Sequence, residues 1–333
     1  MAGSRVTVLG DGGWGTCLAI LLAAQGHQVS LWGAFPEYIA QVQKTRENLK
    51  FLPGVPIPPS VRLTGSLQEA WASPDWIIVA VPSRFLRQVL ERCLDGPWKK
   101  SVVVSVVKGI DPESLLRMSE LIRKTVPVER LAVLSGPSIS FEVARGIPTT
   151  VVAASEERSL AEQVQRLFTT NQFRVYTSAD VVGVELGGAL KNVIAIACGS
   201  SDGLGFGSNT KAALVTRGLV EMARLGVAMG ARAETFSGLS GLGDLVTTCF
   251  STHSRNRGVG EQLGKGVPIS EVTKGMEQVA EGITTAQSAY RLTQKYKVEM
   301  PITAAVYQVL YEGKSPRDAV RDLMLREPKP ELE

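Results

Sequence analysis

Lys191 stands where a hydrocarbon side chain is expected. From Val181 to Cys198 the chain reads VVGVELGGALKNVIAIAC, and only Glu185, Lys191 and Asn192 interrupt its apolar residues and glycines. That length and hydrophobicity predict a buried helix. A lysine so placed either carries its head out to water or holds it for a task. Gly187 and Gly188 fall one turn earlier on the same helical face. Each costs roughly 0.5–1 kcal/mol against alanine in a helix interior, and the compensation expected is room for a ligand beside the lysine. A desolvated ammonium can accept a proton from an alcohol, or donate one to an oxygen that gains charge. Lys191 is therefore the catalytic acid/base candidate, against the alternative of a packed, partly buried lysine. Two further cations are candidates to meet it. Lys108 follows the apolar run SVVVSVV at 101–107, and Arg255 is flanked by Ser254 and Asn256 at the start of a helix expected around Val259–Leu263. A guanidinium fork, a hydroxyl and an amide in sequence make an oxyanion site, unless they only cap the helix.

The elements that must position these groups begin at the N-terminus. Arg5–Leu9 reads as a short strand, then Gly10-Asp11-Gly12-Gly13-Trp14-Gly15 leads into the helical TCLAILLAAQG. This is GxGxxG between a strand and a helix. Gly10 makes the turn, Gly12 lets backbone approach a diphosphate, and Gly15 lets helix pack on sheet. The free N–H groups of the helix start face the anion. Gln28–Trp32 is the next strand, and neither an acid nor a base follows it at once in Gly33-Ala34-Phe35. The proline-rich 48–59 is expected as a loop. Trp76–Val81 and Ser101–Val107 are continuous apolar strands, as a sheet covered on both faces requires. Leu131–Leu134 ends in the small-residue loop Ser135-Gly136-Pro137-Ser138-Ile139-Ser140, and Thr149–Ala154 and Phe173–Thr177 complete the sheet. Lys108 and this loop lie at strand ends, where doubly wound sheets bind ligands. Beyond Asp180, a candidate cap for the long apolar helix, the pattern turns helical. Glycine-rich loops are expected at Phe236–Asp244, and a small-residue turn at Gln278–Thr285. The fold expected is α/β, a Rossmann-type doubly wound sheet domain (1–180) followed by an all-α C-terminal domain (181–333).

Composition narrows the function classes. The 333 residues, 44% hydrophobic and 20% charged, suit a globular protein with a full core. A net charge of +4 from 36 basic and 32 acidic residues argues for no nucleic-acid partner, yet fits a phosphorylated substrate. The four cysteines have no CxxC spacing, which points to reduced core residues and a cytoplasmic protein. With only His27 and His253, no metal site is expected. The apolar run around Lys191 carries charges and glycines, so it reads as core and no stable membrane insertion is expected. A homodimer is compatible with the sequence, which does not fix the assembly.

Several stretches resemble the bacterial NAD(P)-dependent glycerol-3-phosphate dehydrogenase family. They include GDGGWGTCLA (10–19), LWGAFPE (31–37), AVPS (80–83), VVKGI (106–110), LSGPSISFEVARGIPT (134–149), the long stretch 184–226, FSGLSGLGDLVTTC (236–249), SRNRGVG (254–260) and AEGITTA (280–286), in the family's order over nearly the whole chain. The resemblance implies an enzyme that interconverts sn-glycerol 3-phosphate and dihydroxyacetone phosphate, with NAD or NADP as cofactor, to supply phospholipid synthesis. It implies Lys191 as proton acceptor. Lys108, Gly136, Ser138, Asp244, Ser254, Arg255 and Asn256 would contact substrate. Gly13, Trp14, Ala34, Lys108, Ser140, Arg255, Val279 and Glu281 would contact the dinucleotide. Family members often have serine at the place of Gly13, a difference that a backbone contact tolerates. They often have arginine or histidine at the places of Ala34 and Phe35, whose absence here weakens the case for a 2′-phosphate and leaves the choice between NAD and NADP open. Two rival readings are a related two-domain hydroxy-acid dehydrogenase and a non-catalytic dinucleotide sensor.

Overall fold

A computed structural model describes residues 3–274, 276, 280–328 and 330–331. The first half forms strands β1 (Arg5–Leu9), β2 (Gln28–Trp32), β3 (Glu47–Asn48), β4 (Leu52–Pro56), β5 (Val61–Thr64), β6 (Trp76–Val79), β7 (Val102–Ser105), β8 (Arg130–Ser135), β9 (Thr149–Ala154) and β10 (Phe173–Ser178). Eight of them make one sheet in the order β10-β9-β8-β7-β6-β1-β2-β5. The chain runs outward from β1 through β2 to β5, then returns to β6 on the other side of β1. That reversal creates a crevice at the carboxyl ends of β1 and β6, the position where such sheets bind ligands. Strands β6 and β7 carry WIIV and VVVS because helices cover both sheet faces there.

All neighbours in the sheet are parallel except β8 and β9, which pair antiparallel from Val133↔Ala154 to Ser135↔Val152. The link between them carries the short helix Ser140–Ala144. The loop after β8 is thereby folded back toward the crevice. The expectation of a loop at 48–59 needs correction. Glu47–Asn48 pairs with Leu52–Pro56 as a separate two-stranded sheet, with Pro53 and Pro56 in the edge strand, where a missing N–H is tolerated.

Beyond Ser178 the described residues contain helices only. The helix Val181–Gly203 is their axis. Asp180 caps it, its Oδ1 accepting from Gly183 N at 2.9 Å, while its Oδ2 accepts from Arg232 N and Thr235 Oγ1. This helix is long and apolar enough to cross a membrane, but 83% of its most apolar window is buried inside the protein. Helices Ser208–Ala228, Asp244–Phe250, Arg255–Gly264, Glu281–Tyr296 and Pro301–Tyr311 surround it. Gly199 and Gly260 bring Val181–Gly203 and Arg255–Gly264 into backbone contact, since a Cβ on Gly199 would collide with Arg257 O and one on Gly260 with Ile196 O. The same close crossing fixes Asn256 beside Asn192.

Glu185 ties the axis to the first half. Its carboxylate accepts from Ser119 N at 2.8 Å and Ser119 Oγ at 2.6 Å at the start of helix Met118–Thr125, and it pairs with Arg117 Nη1. The expected loop at Phe236–Asp244 is also corrected. It holds the last residue of a short helix Ala233–Phe236, a π-helical turn Leu239–Gly243, and the first residue of helix Asp244–Phe250. Gly241 serves close packing, since a Cβ there would collide with Phe236 O. Of the turn expected at Gln278–Thr285, residues 281–285 form the first turn of Glu281–Tyr296, whereas Gln278 and Val279 lie outside the described residues.

Candidate active site

Lys191 is buried, with 6% of its surface exposed. Its Nζ donates to Asp244 Oδ1 and, at 2.6 Å, to Thr248 Oγ1. Asp244 and Thr248 are one turn apart on Asp244–Phe250, and Thr248 Oγ1 donates back to Asp244 O at 2.6 Å. The other carboxylate oxygen of Asp244 accepts from Lys108 Nζ at 2.6 Å. Lys108 also donates to Gly136 O at 2.9 Å and lies 3.4 Å from Ser138 Oγ. One buried carboxylate thus aligns two ammonium groups. Asp244 begins its helix, where the dipole favours a negative charge. Burial pushes the Lys191 pKa down to about 8; Asp244 opposes this and Lys108 reinforces it. The cluster of two cations and one anion keeps a net positive charge that suits an anionic substrate or a developing oxyanion.

The glycines beside Lys191 do not have the role expected of them. A Cβ on Gly187 would lie 2.5 Å from Ser240 O, and one on Gly188 would lie 2.5 Å from Ser135 Oγ and 3.4 Å from Lys108 Cγ. The space is filled by protein. Gly187 admits the π-helical turn, and Gly188 lets the Lys108 stem pass.

A cleft of about 1240 Å³ runs from the glycine loop to this cluster. That exceeds the roughly 300–1,000 Å³ of most small-molecule sites, which leaves room for more than one small molecule. Gly10, Gly12, Gly13, Trp14, Ala34, Lys108, Ser138, Ser140, Lys191, Ser254, Arg255, Asn256 and Glu281 all line it. Asp244 and Gly15 stand behind the wall, and a Cβ on Gly15 would collide with Gly10 O. Gly136 also sits behind it, at φ +134°, presenting its carbonyl to Lys108. Val279 lies outside the described residues.

The glycine loop fits a dinucleotide. Gly10 adopts φ +112° and packs on Ala80 O, which pulls the loop onto the switch point. A Cβ on Gly12 would meet nothing within 4 Å, so this side of the loop is open where a diphosphate would lie. Helix Gly13–Ala24 has no side-chain cap, which leaves its first N–H groups for an anion. Trp14 packs near Phe173 at a ring-centroid distance of 6.3 Å.

At the other end, Ser254 caps helix Arg255–Gly264, its Oγ accepting from Arg257 N at 3.2 Å. Asn256 Nδ2 donates to Asn192 Oδ1 at 2.9 Å, and its Oδ1 accepts from Gly282 N at 2.8 Å. Arg255 lies at the cleft surface; desolvation there lowers its pKa and the nearby Glu281 opposes that. Glu281 accepts from Ser83 N at 2.9 Å and from Ser83 Oγ, so it links the second half to the end of β6. Burial raises its pKa, while Ser83 and Arg255 act the other way.

Thr248 and Ser83 were not singled out in the sequence. Thr248 carries a readable signal, four residues after Asp244 on one helical face. Ser83 has none beyond following a strand end. The four cysteines are buried and free, and no group of three or more His, Cys, Asp or Glu among the described residues could hold a metal ion.

A doubly wound sheet with an open glycine loop, joined through one cleft to a buried lysine, defines an NAD(P)-dependent oxidoreductase. Residues 5–161 match the NAD-dependent glycerol-3-phosphate dehydrogenase N-terminus family, and residues 180–321 match its C-terminus counterpart. The chain belongs to the NAD-dependent glycerol-3-phosphate dehydrogenase family. It is 51% identical to the Glycerol-3-phosphate dehydrogenase [NAD(P)+] of Citrifermentans bemidjiense, over 98% of each chain. It is 50% identical to the enzyme of the same name from Bacillus pumilus, over 99% of this chain and 96% of that one. The crystal structure of glycerol-3-phosphate dehydrogenase from Coxiella burnetii superposes with a TM-score of 0.94 at 37% identity, over 98% of this chain and all of that one. A D-mandelate dehydrogenase structure, at 13% identity and TM-score 0.63, shares the fold.

Proposed function

We propose that this protein interconverts sn-glycerol 3-phosphate and dihydroxyacetone phosphate with NAD(H) or NADP(H), and that Lys191 handles the proton. The observation that carries this reading is the shared carboxylate of Asp244, which holds Lys191 and Lys108 together at the cleft. Residues 1–180 hold the dinucleotide and residues 181–333 supply the acid/base group and the phosphate site. When bound, the nicotinamide supplies or accepts the hydride at C2 of the triose. The chain's own groups do the rest. Arg255, with Ser254 and the amino end of helix Arg255–Gly264, binds the substrate phosphate. The Lys191 ammonium faces the C2 oxygen, stabilises the charge that grows there during reduction, and donates its proton. In the oxidation direction neutral Lys191 accepts the hydroxyl proton. Asp244 keeps Lys191 aimed, and Lys108 adds a second positive charge.

Four buried free cysteines suit a reducing compartment, and the cytoplasm with a role in phospholipid precursor supply is the setting we propose. The test is oxidation of NADH and NADPH with dihydroxyacetone phosphate as acceptor. Turnover supports the reading. Turnover only with 2-oxo acids would favour the hydroxy-acid alternative, and none with either class, in protein that binds a dinucleotide, would favour the sensor.

A further inference from the structure

No base follows β2 in the chain, yet one stands beside its end in space. Trp32 closes β2, and Gly33-Ala34-Phe35 comes next. The Arg92 guanidinium lies 5.8 Å from the Trp32 ring centroid. Trp32 Nε1 donates to Gly65 O at 3.2 Å, which fixes that ring. Arg92 is the last residue of helix Ser83–Arg92, which follows β6. Phe85, Gln88, Val89 and Arg92 have the i, i+3, i+4, i+7 spacing of one helical face, and all four line the cleft together with Ala34. Leu86, Val89 and Leu90 are buried in the core beneath, so the core sets the direction of this face.

The arginines of this helix differ in what they meet. Arg87 pairs with the buried Asp111 at 2.5 Å. Arg84 rests over the Phe85 ring at 4.4 Å and acts through space on Glu281. Arg92 has no ion pair and no hydrogen bond among the described residues, only the Trp32 ring. A ring contact occupies the face of a guanidinium and leaves its N–H edge for an anion. A cation in a last turn also suits the helix dipole, but that holds at any outward position and does not account for one in the cleft wall. In dinucleotide folds the adenosine ribose lies at the end of this strand, where an arginine accommodates a 2′-phosphate. We propose that Arg92 is the 2′-phosphate reader of this protein, brought to the end of β2 by the helix after β6, and that it makes the cleft favour NADPH over NADH. Gly33-Ala34-Phe35 sets no carboxylate against the added anion, and Arg92 offers it a planar fork. This rests on the reading that the cleft holds a dinucleotide.

The experiment is calorimetric binding of adenosine 2′,5′-bisphosphate, 5′-AMP, NADPH and NADH at pH 8 to wild type, Arg92→Ala, Arg92→Lys and Arg84→Ala, with thermal unfolding to confirm folding. Each pair differs only in the 2′-phosphate. Wild type should bind the bisphosphate and NADPH about tenfold or more tightly than 5′-AMP and NADH, as charged hydrogen bonds predict. Arg92→Ala should remove that advantage and leave 5′-AMP and NADH within about twofold. Arg92→Lys should keep part of it, since the charge remains without the fork, and Arg84→Ala should keep most of it. Wild type indifferent to the 2′-phosphate, a folded Arg92→Ala that keeps the advantage, or an equal loss for both members of each pair would overturn the assignment while NADH binding still supports the cleft. Because substrate is absent, these outcomes are independent of which acceptor the enzyme reduces. Failure of wild type to bind any of the four would overturn the dinucleotide reading as well.

Discussion

Lys191 donates to Asp244 across two helices, from positions 53 residues apart in the chain. The pair fixes the ammonium that burial would otherwise push toward its neutral form. Desolvation lowers the Lys191 pKa and Asp244 raises it, with about 8 as the balance. The sign of each pH effect follows from that balance.

With Lys191 as proton donor in reduction it must begin protonated, so kcat/KM should fall as pH rises through about 8. In the oxidation direction it must begin neutral, so kcat/KM should rise through the same region. Opposite limbs of kcat/KM in the two directions would locate the group. Parallel limbs would assign the titration elsewhere.

Asp244→Asn removes the anion that favours the ammonium, so the Lys191 limb should move toward lower pH, by about one pH unit or more. Lys108→Met removes a like charge and should move the limb the other way. The pH profiles of kcat/KM for dihydroxyacetone phosphate reduction distinguish the two. Shifts of the same sign in both variants would contradict the charge arrangement.

Arg255→Ala should raise KM for the phosphorylated substrate by about 10- to 100-fold, the loss of a charged hydrogen bond. Its kcat should change less. Steady-state kinetics at fixed NADH concentration read this directly, and an unchanged KM would take Arg255 out of the phosphate site.

Two glycine substitutions separate packing from ligand approach. Gly188→Ala would press its Cβ on Ser135 Oγ and the Lys108 stem, so it should destabilise by about 1–3 kcal/mol and lower kcat. Gly12→Ala meets no protein atom within 4 Å, so Tm should hold while dinucleotide binding weakens. Thermal unfolding and calorimetric titration together check both.

Glu185→Ala leaves Arg117 and the start of helix Met118–Thr125 without their buried acceptor. It should cost about 3–5 kcal/mol of stability in urea unfolding. No change would mean that the contact between the halves is not energetically important.

Periodic elements were legible in the sequence. The glycine loop, the apolar strands and the helix around Lys191 each follow from local pattern, and their order defines the switch-point crevice. Lys108 was legible because a strand end precedes it. Asp244 entered through the family resemblance alone: nothing local says that its carboxylate will bridge Lys108 and Lys191, since that contact is made by tertiary packing. The glycines at 187–188 misled for a physical reason. Glycine permits close approach of any atom, and the sequence does not say whether protein or ligand arrives. The antiparallel β9 and the link from Ser83 to Glu281 likewise depend on long-range geometry.

The proposed reaction depends on Lys191 moving the proton. The most direct measurement is kcat for dihydroxyacetone phosphate reduction by Lys191→Ala, paired with calorimetric NADH binding to the same variant. With Lys191 as the proton carrier, kcat should fall by at least about 100-fold, with the NADH Kd within a few-fold of wild type. Near wild-type kcat in a variant that still binds NADH would contradict it.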